Sequence, residues 1–259
     1  MAVVSELVCY PIKECAGVVL ERSEVTSAGL THDRTYAVVD RSGECLWQGA
    51  VPRMATVRGR VLDSGAVIVL SAPGADDLVV ETRADGRFLA VAVEKWPGTG
   101  IDQGDEAAGW LSEFLGLPVR LVREPPGSRR GVDPTALLVT SESALDGLNT
   151  RILARGAAPV PMSRFRPNVV VSGWPEAHTE DRVSRMTVGT AELAFGELAI
   201  RCAVTLVDQR AGVRAGPEPL RTLADYRREP DGVAFGMKAA VLTPGHIAVG
   251  DEVTVTELR

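Results

Sequence analysis

Cys202 follows Arg201 directly, and a neighbouring cation favours the thiolate, the form of cysteine that ligates soft transition metals. Read as a strand, 202–207 sets Cys202, Val204 and Leu206 on one face and turns Arg201 to the other. The same pattern also describes a thiol buried as ordinary apolar packing. Arg164 and Arg166 stand at i and i+2 in Arg164-Phe165-Arg166-Pro167-Asn168. In an extended segment their guanidinium forks project to one side and suit a phosphate or carboxylate, whereas at a plain strand entry they form surface ion pairs. Lys13, in Tyr10-Pro11-Ile12-Lys13, and Arg34, in His32-Asp33-Arg34, are further single cations near turns. Asp33 is a natural ion-pair partner for Arg34, and His32 reads as a polar turn residue.

Short β-elements must position these residues. Gly 26 and Pro 16, among many brief runs of Val, Leu and Ala, imply numerous turns between short strands, hence a mainly β fold with a few helices (α+β). The first half reads as antiparallel pairs, with strands over 16–20, 24–25 and 35–39, a turn at 40–43, and 57–62 paired with 67–70 across Asp63-Ser64-Gly65. Ala107, Trp110, Leu111, Phe114 and Leu115 share one face of a helix over 106–115 that Gly116 stops. After a strand at 119–122, the polar turn-forming run 124–131 divides a domain 1–123 from a domain 132–259, and the first strands are free to pack against the second domain. A buried strand over 136–139 runs into Thr140-Ser141, and Ser141 N-caps a helix marked by Ala144, Leu145, Leu148 and Ile152, whose start is a further candidate anion site. Strands at 169–171, 191–195, 202–207, 239–242 and 253–255, and a short helix near 220–226, complete the reading.

At 259 residues and 45% hydrophobic content the chain fills its cores without staples. A net charge of −6 speaks against a nucleic-acid partner, so any anion site is local. The N-terminus lacks a basic region followed by an apolar core, and no run approaches the ~18 apolar residues that span a bilayer, so the expectation is a soluble, cytoplasmic protein with no membrane partner. Cysteines at 9, 15, 45 and 202 form no C-x-x-C pair, which implies reduced thiols, and His32, His178 and His246 have no zinc-site spacing.

Several segments, in order, resemble the MOSC family in its two-part form, a β-barrel-like N-terminal domain followed by the MOSC β-barrel domain. They are Tyr10-Pro11-Ile12-Lys13 with Cys15 and Gly17; Gly29-Leu30, Asp33-Arg34 and Val38-Val39-Asp40; Pro52-Arg53; Asp105-Glu106-Ala107-Ala108 with Trp110-Leu111; Ser141 with Leu145 and Leu148; Arg164 to Asn168; Glu180-Asp181; Arg201-Cys202 with Val207-Asp208; Phe235-Gly236; and Pro244-Gly245 with Val249-Gly250-Asp251. The amidoxime-reducing branch of that family implies a molybdenum cofactor, molybdenum bound to molybdopterin, and an oxidoreductase acting on N-hydroxylated small molecules. By the same resemblance Cys202 is the catalytic thiolate ligand of the metal, and Lys13, Arg34, Thr140, Ser141, Arg166, Asn168 and Arg201 line the cofactor site. The chain departs from the family at Glu14, where serine is common, at Gly49, where arginine is usual, and at 198–200, where many relatives carry another cysteine. No ferredoxin-like cysteine segment follows Val255, so an external electron-donor protein of reductase, ferredoxin or cytochrome type is implied. Two other functions are compatible with the same residues: a sulfur carrier or transferase with a Cys202 persulfide, and a cofactor-free binding module.

Overall fold

The computed structural model describes residues 1–128 and 131–259; Arg129 and Arg130, within the expected linker 124–131, lie outside the described residues. The chain is mainly β with a few helices. Its largest sheet runs in the order Val18–Leu20, Val3–Cys9, Val169–Ser172, Leu137–Ser141, Gly232–Thr243, Ala191–Arg201, Val183–Val188, Val253–Leu258. Two strands from the N-terminus therefore belong to the sheet built by the C-terminal half, Val3–Cys9 pairing antiparallel with Val169–Ser172. At the far end of the path, Val253 N donates to Ala2 O at 2.9 Å and Gly250 N to Val4 O at 2.8 Å, so the last strand's entry bonds back to the first. Val4, Leu7, Val139, Val169, Val171, Met186, Leu193, Met237 and Val241 point inward as a buried core.

Leu137–Ser141 and Val169–Ser172 run parallel, which requires a crossover, and helix α2 (Glu142–Ala154) supplies it. Ser141 caps α2 by accepting a hydrogen bond from Ala144 N, while Ala144, Leu148 and Ile152 face a separate core around Phe165 and Phe235, whose rings stack at 3.8 Å. In the N-terminal half, Tyr36–Asp40, Val119–Arg123, Thr99–Asp102 and Phe88–Ala90 form one antiparallel sheet, and Arg58–Leu62, Val67–Ala72 and Ala75–Glu81 form another. Helix α1 (Asp105–Leu115) lays Ala107, Leu111, Phe114 and Leu115 on the core these sheets share, and Gly116 ends it at φ 70°, a left-handed position that glycine adopts without steric cost. A third helix, α3, spans Leu220–Tyr226.

Two local expectations fail for identifiable reasons. The strand expected over 191–195 continues to Arg201 and stops there. Residues Ala203–Leu206 are then a 3-10 turn rather than a strand, because Thr205 donates both its N–H (3.1 Å) and its hydroxyl (2.9 Å) to the Cys202 carbonyl, giving the backbone a local partner in place of a sheet neighbour. Arg164 and Arg166 likewise do not share one side of an extended segment. Met162–Phe165 is a 3-10 turn and Arg166 is left-handed at φ 56°, so the two guanidiniums diverge.

Candidate functional site

Where the two halves meet, a cavity of about 230 Å³ is walled by the turn carrying Lys13 and Glu14, the Asp33-Arg34 turn, the Glu94-Lys95-Trp96 turn, the Phe165 to Asn168 segment, and the end of the strand that delivers Arg201 and Cys202. The 3-10 turn matters here. By ending the strand at Arg201 it leaves Cys202 exposed on the cavity wall instead of committed to a core face. Cys9 and Cys15 are buried, and burial pushes both thiols far above their ordinary range; burial also raises Cys45, to about 11. Cys202 is thus the exposed sulfur among the four.

The lining carries six lysines and arginines (Lys13, Arg34, Lys95, Arg166, Arg201, Lys238) against four carboxylates (Glu14, Asp33, Glu94, Asp133), a local excess of positive charge on a chain whose net charge is −6. Several of these cations are spoken for. Lys13 pairs with Glu94 at 3.0 Å, Lys95 with Asp133 at 2.7 Å, Lys238 with Glu197 at 2.7 Å, and Arg34 with Asp33. Arg166 and Arg201 differ. Among the described residues neither has a carboxylate partner, although Arg166 is only 6 % exposed. Arg166 Nη1 donates to the Cys15 carbonyl at 2.5 Å and to Gln209 Oε1 at 3.3 Å. Arg201 Nη2 donates to the Phe165 carbonyl at 2.7 Å, and its buried Nε has no hydrogen-bond partner. Burial, opposed by Cys202 and reinforced by the charges of Arg166 and Arg34, brings the Arg201 guanidinium down to about 10. Arg166 and Arg201 are both cations without a carboxylate partner among the described residues, in a geometry that suits an anionic group.

Backbone strain gathers at the same place. Glu14 (φ 65°), Arg34 (φ 53°), Lys95 (φ 68°) and Arg166 (φ 56°) are left-handed without being glycine, and all four line the cavity. Each costs roughly 1 kcal/mol or more, which surrounding contacts must over-determine. The carboxylate of Glu14, where the family commonly has serine, is turned to accept from Gln48 N at 3.2 Å, while Gln48 Nε2 donates to Glu14 O at 2.9 Å.

Of the residues singled out from the sequence, Lys13, Arg34, Arg166, Asn168, Arg201 and Cys202 come together here. Asn168 is fully buried and acts as a joint. Its Oδ1 accepts from Leu138 N (3.1 Å) and Arg34 Nη1 (3.3 Å), and its Nδ2 donates to Val8 O (3.1 Å). Thr140 and Ser141 lie elsewhere, both fully buried. Thr140 Oγ1 faces Met162 Sδ at 3.3 Å, and Ser141 Oγ donates to Glu180 Oε2 at 2.7 Å. The start of α2, expected to be open to an anion, is thus occupied by the chain's own carboxyl group. Arg164 also turns away, donating to Thr205 O at 3.1 Å. Trp96, Leu138 and Val204 supply apolar wall; the sequence set Val204 on the face of Cys202 and Leu138 in a buried strand, but the Trp96 turn offered only Pro97-Gly98 as a signal.

The family and the mainly β fold that the sequence resemblance implies agree with comparison to known proteins. Residues 1–118 match the MOSC N-terminal beta barrel domain and residues 126–254 the MOSC domain. The chain belongs to the MOSC family. It is 33% identical to the mouse protein named mitochondrial amidoxime-reducing component 1, over 96% of this chain and 81% of that one, and 30% identical to the human protein of the same name, over 96% and 82%. It is also 29% identical to a rice molybdenum cofactor sulfurase, over 89% of this chain but 31% of that much longer protein. No helix among the described residues is long and apolar enough to cross a membrane.

Proposed function

We propose that this chain holds a molybdenum cofactor in the cavity through Cys202 and reduces N-hydroxylated small molecules. The observation that carries the proposal is the union in one cavity of an exposed thiol and two carboxylate-free guanidiniums, one with a buried Nε lacking any partner. Those residues fit the group in question: a soft metal takes a thiolate, and an anionic pterin tail takes bidentate guanidiniums. When bound, the cofactor supplies the two-electron redox chemistry.

The chain's own part is to bind, orient and shape. Cys202 supplies a sulfur ligand from a backbone fixed by the 3-10 turn behind it. Arg166 and Arg201 anchor the anion, and Arg34 adds a third cation held by Asp33 and Asn168. Asn168 serves through Arg34 and the strands it joins. Lys13 reaches the same wall with its charge shared with Glu94. Trp96, Leu138 and Val204 leave an apolar side on which a small organic substrate can lie. Electrons for the reaction would come from an external electron-donor protein. Turnover of benzamidoxime by molybdenum-loaded protein with an artificial one-electron donor tests the reaction class, and no turnover refutes it.

The rice relative suggests a second reading, in which the Cys202 thiolate takes the outer sulfur of a persulfide on a separate donor protein, whose thiolate is the leaving group. An adduct of about 32 Da on Cys202 in molybdenum-free protein that a thiol reductant removes, as it removes the outer sulfur of a persulfide and not the two oxygens of a sulfinic acid, supports that reading over reduction.

A further inference from the structure

Tyr10 is 4 % exposed and has no role in the site as described so far. Two guanidinium groups nevertheless lie over its ring, with Cζ of Arg34 5.1 Å and Cζ of Arg166 4.3 Å from the ring centroid. We propose that Tyr10 is a positioning residue of the anion site, its ring face holding Arg34 and Arg166 together and charged before an anion arrives. The inference rests on reading the cavity as an anion site, and it names the element that preorganises that site.

Two desolvated guanidiniums held near one another repel, and something must offset this. Arg34 has Asp33 for that purpose. Among the described residues Arg166 hydrogen-bonds only neutral oxygens, those of the Cys15 carbonyl and the Gln209 amide; the Glu14 carboxylate attracts it without contact, and the negative face of the Tyr10 ring is the attraction lying directly against the guanidinium. Burial pushes the Tyr10 phenol well above its ordinary value, so the hydroxyl stays protonated and a π-face rather than a phenolate meets the arginines.

The ring is built into place. Tyr10 N donates to Asp33 Oδ1 at 2.7 Å, and Tyr10 O accepts from Arg34 N at 2.8 Å, so the residue is clamped to the turn that carries Arg34. Gly17 packs against the ring as well: a Cβ there would stand 2.7 Å from Tyr10 Cε1 and 2.5 Å from Val8 Cγ1. Any side chain at position 17 would displace the ring, which gives that glycine a physical reason.

The test is a fluorination series at position 10 of the full chain, which keeps the ring's shape while draining its negative face. Inorganic phosphate binding is measured by calorimetry for wild type, Tyr10→Phe, and Tyr10 replaced by singly and fully fluorinated phenylalanine. Retained pterin is measured by fluorescence on the same proteins made in a host that synthesises the cofactor. We expect Tyr10→Phe to bind phosphate as wild type does, and the fully fluorinated ring to bind roughly tenfold more weakly, with the singly fluorinated ring between them. Equal phosphate affinity along the series, or no phosphate binding by wild type, overturns the inference. A graded loss of phosphate affinity in a protein that retains no pterin supports Tyr10's role and refutes the cofactor reading. Retained pterin with a flat phosphate series does the reverse.

Discussion

Replacing Arg201 with methionine separates a side chain kept for the fold from one kept for a ligand. Burial brings this guanidinium down to about 10 from an ordinary value of 12.5, which sets roughly 3 kcal/mol against its charged form, or about 2 kcal/mol once its partial contact with solvent is counted. Arg201 stays charged at neutral pH, so the cost is present at every pH below about 10 for as long as no anion is there. Methionine relieves that cost and forfeits the hydrogen bond to the Phe165 carbonyl, worth roughly 1.5–3 kcal/mol. These contributions nearly cancel, so the metal-free variant should unfold in urea within about 1 kcal/mol of wild type. Pterin retention, with one charge-assisted hydrogen bond removed, should fall by about 10- to 150-fold. A variant that loses more than about 2 kcal/mol of stability and keeps its pterin would show that Arg201 serves the fold and would refute the anion-site reasoning.

Asn168→Ala should behave in the opposite way, leaving Leu138 N and Val8 O buried without partners and lowering urea stability by roughly 3 kcal/mol; a loss under about 1 kcal/mol contradicts its role as a joint. Ser141→Ala removes the α2 cap and the Glu180 contact, costing roughly 1–2 kcal/mol, and should leave pterin content unchanged because Ser141 lies outside the cavity. Burial raises Glu180 to about 7, so the stability it contributes is complete below about pH 4.5 and is lost as pH rises towards 7, by roughly 1.4 kcal/mol per pH unit. Burial lowers His178 to about 4, which gives the opposite slope between about pH 4 and 6.5. Urea titrations of Glu180→Gln should therefore show stability rising from pH 4.5 to 6.5 relative to wild type, and parallel curves for the two proteins would contradict this assignment.

Much of the framework was legible because it depends on local pattern. Ala107, Leu111, Phe114 and Leu115 followed by Gly116 describe α1 and its stop without reference to the rest of the chain, and Ser141 before Ala144, Leu148 and Ile152 does the same for α2. The cavity was legible in part, since Lys13 and Arg34 stand out as cations near turns, Arg166 as one of two closely spaced arginines and Arg201 as the cation beside Cys202. What the sequence hid depends on long-range partners. The sequence leaves the first strands free to pack against the second domain but does not single out Val3–Cys9 as the strand that pairs with Val169–Ser172. The alternation at Cys202, Val204 and Leu206 suggests a strand, but the Thr205 hydroxyl captures the Cys202 carbonyl and bends the chain into a turn. Ser141 resembles an anion-binding residue until Glu180, 39 positions away, fills that role. Tyr10 looks like packing until two arginines from different segments are seen over its ring.

Molybdenum content bears most directly on the proposed cofactor site. Wild type and Cys202→Ser, made side by side in a host competent for cofactor synthesis and shown to unfold at the same urea concentration, should differ sharply in bound metal. Near-stoichiometric molybdenum in wild type and almost none in the serine variant is the predicted result, since a soft metal loses its sulfur ligand. Equal molybdenum in both proteins, or none in either, would contradict it.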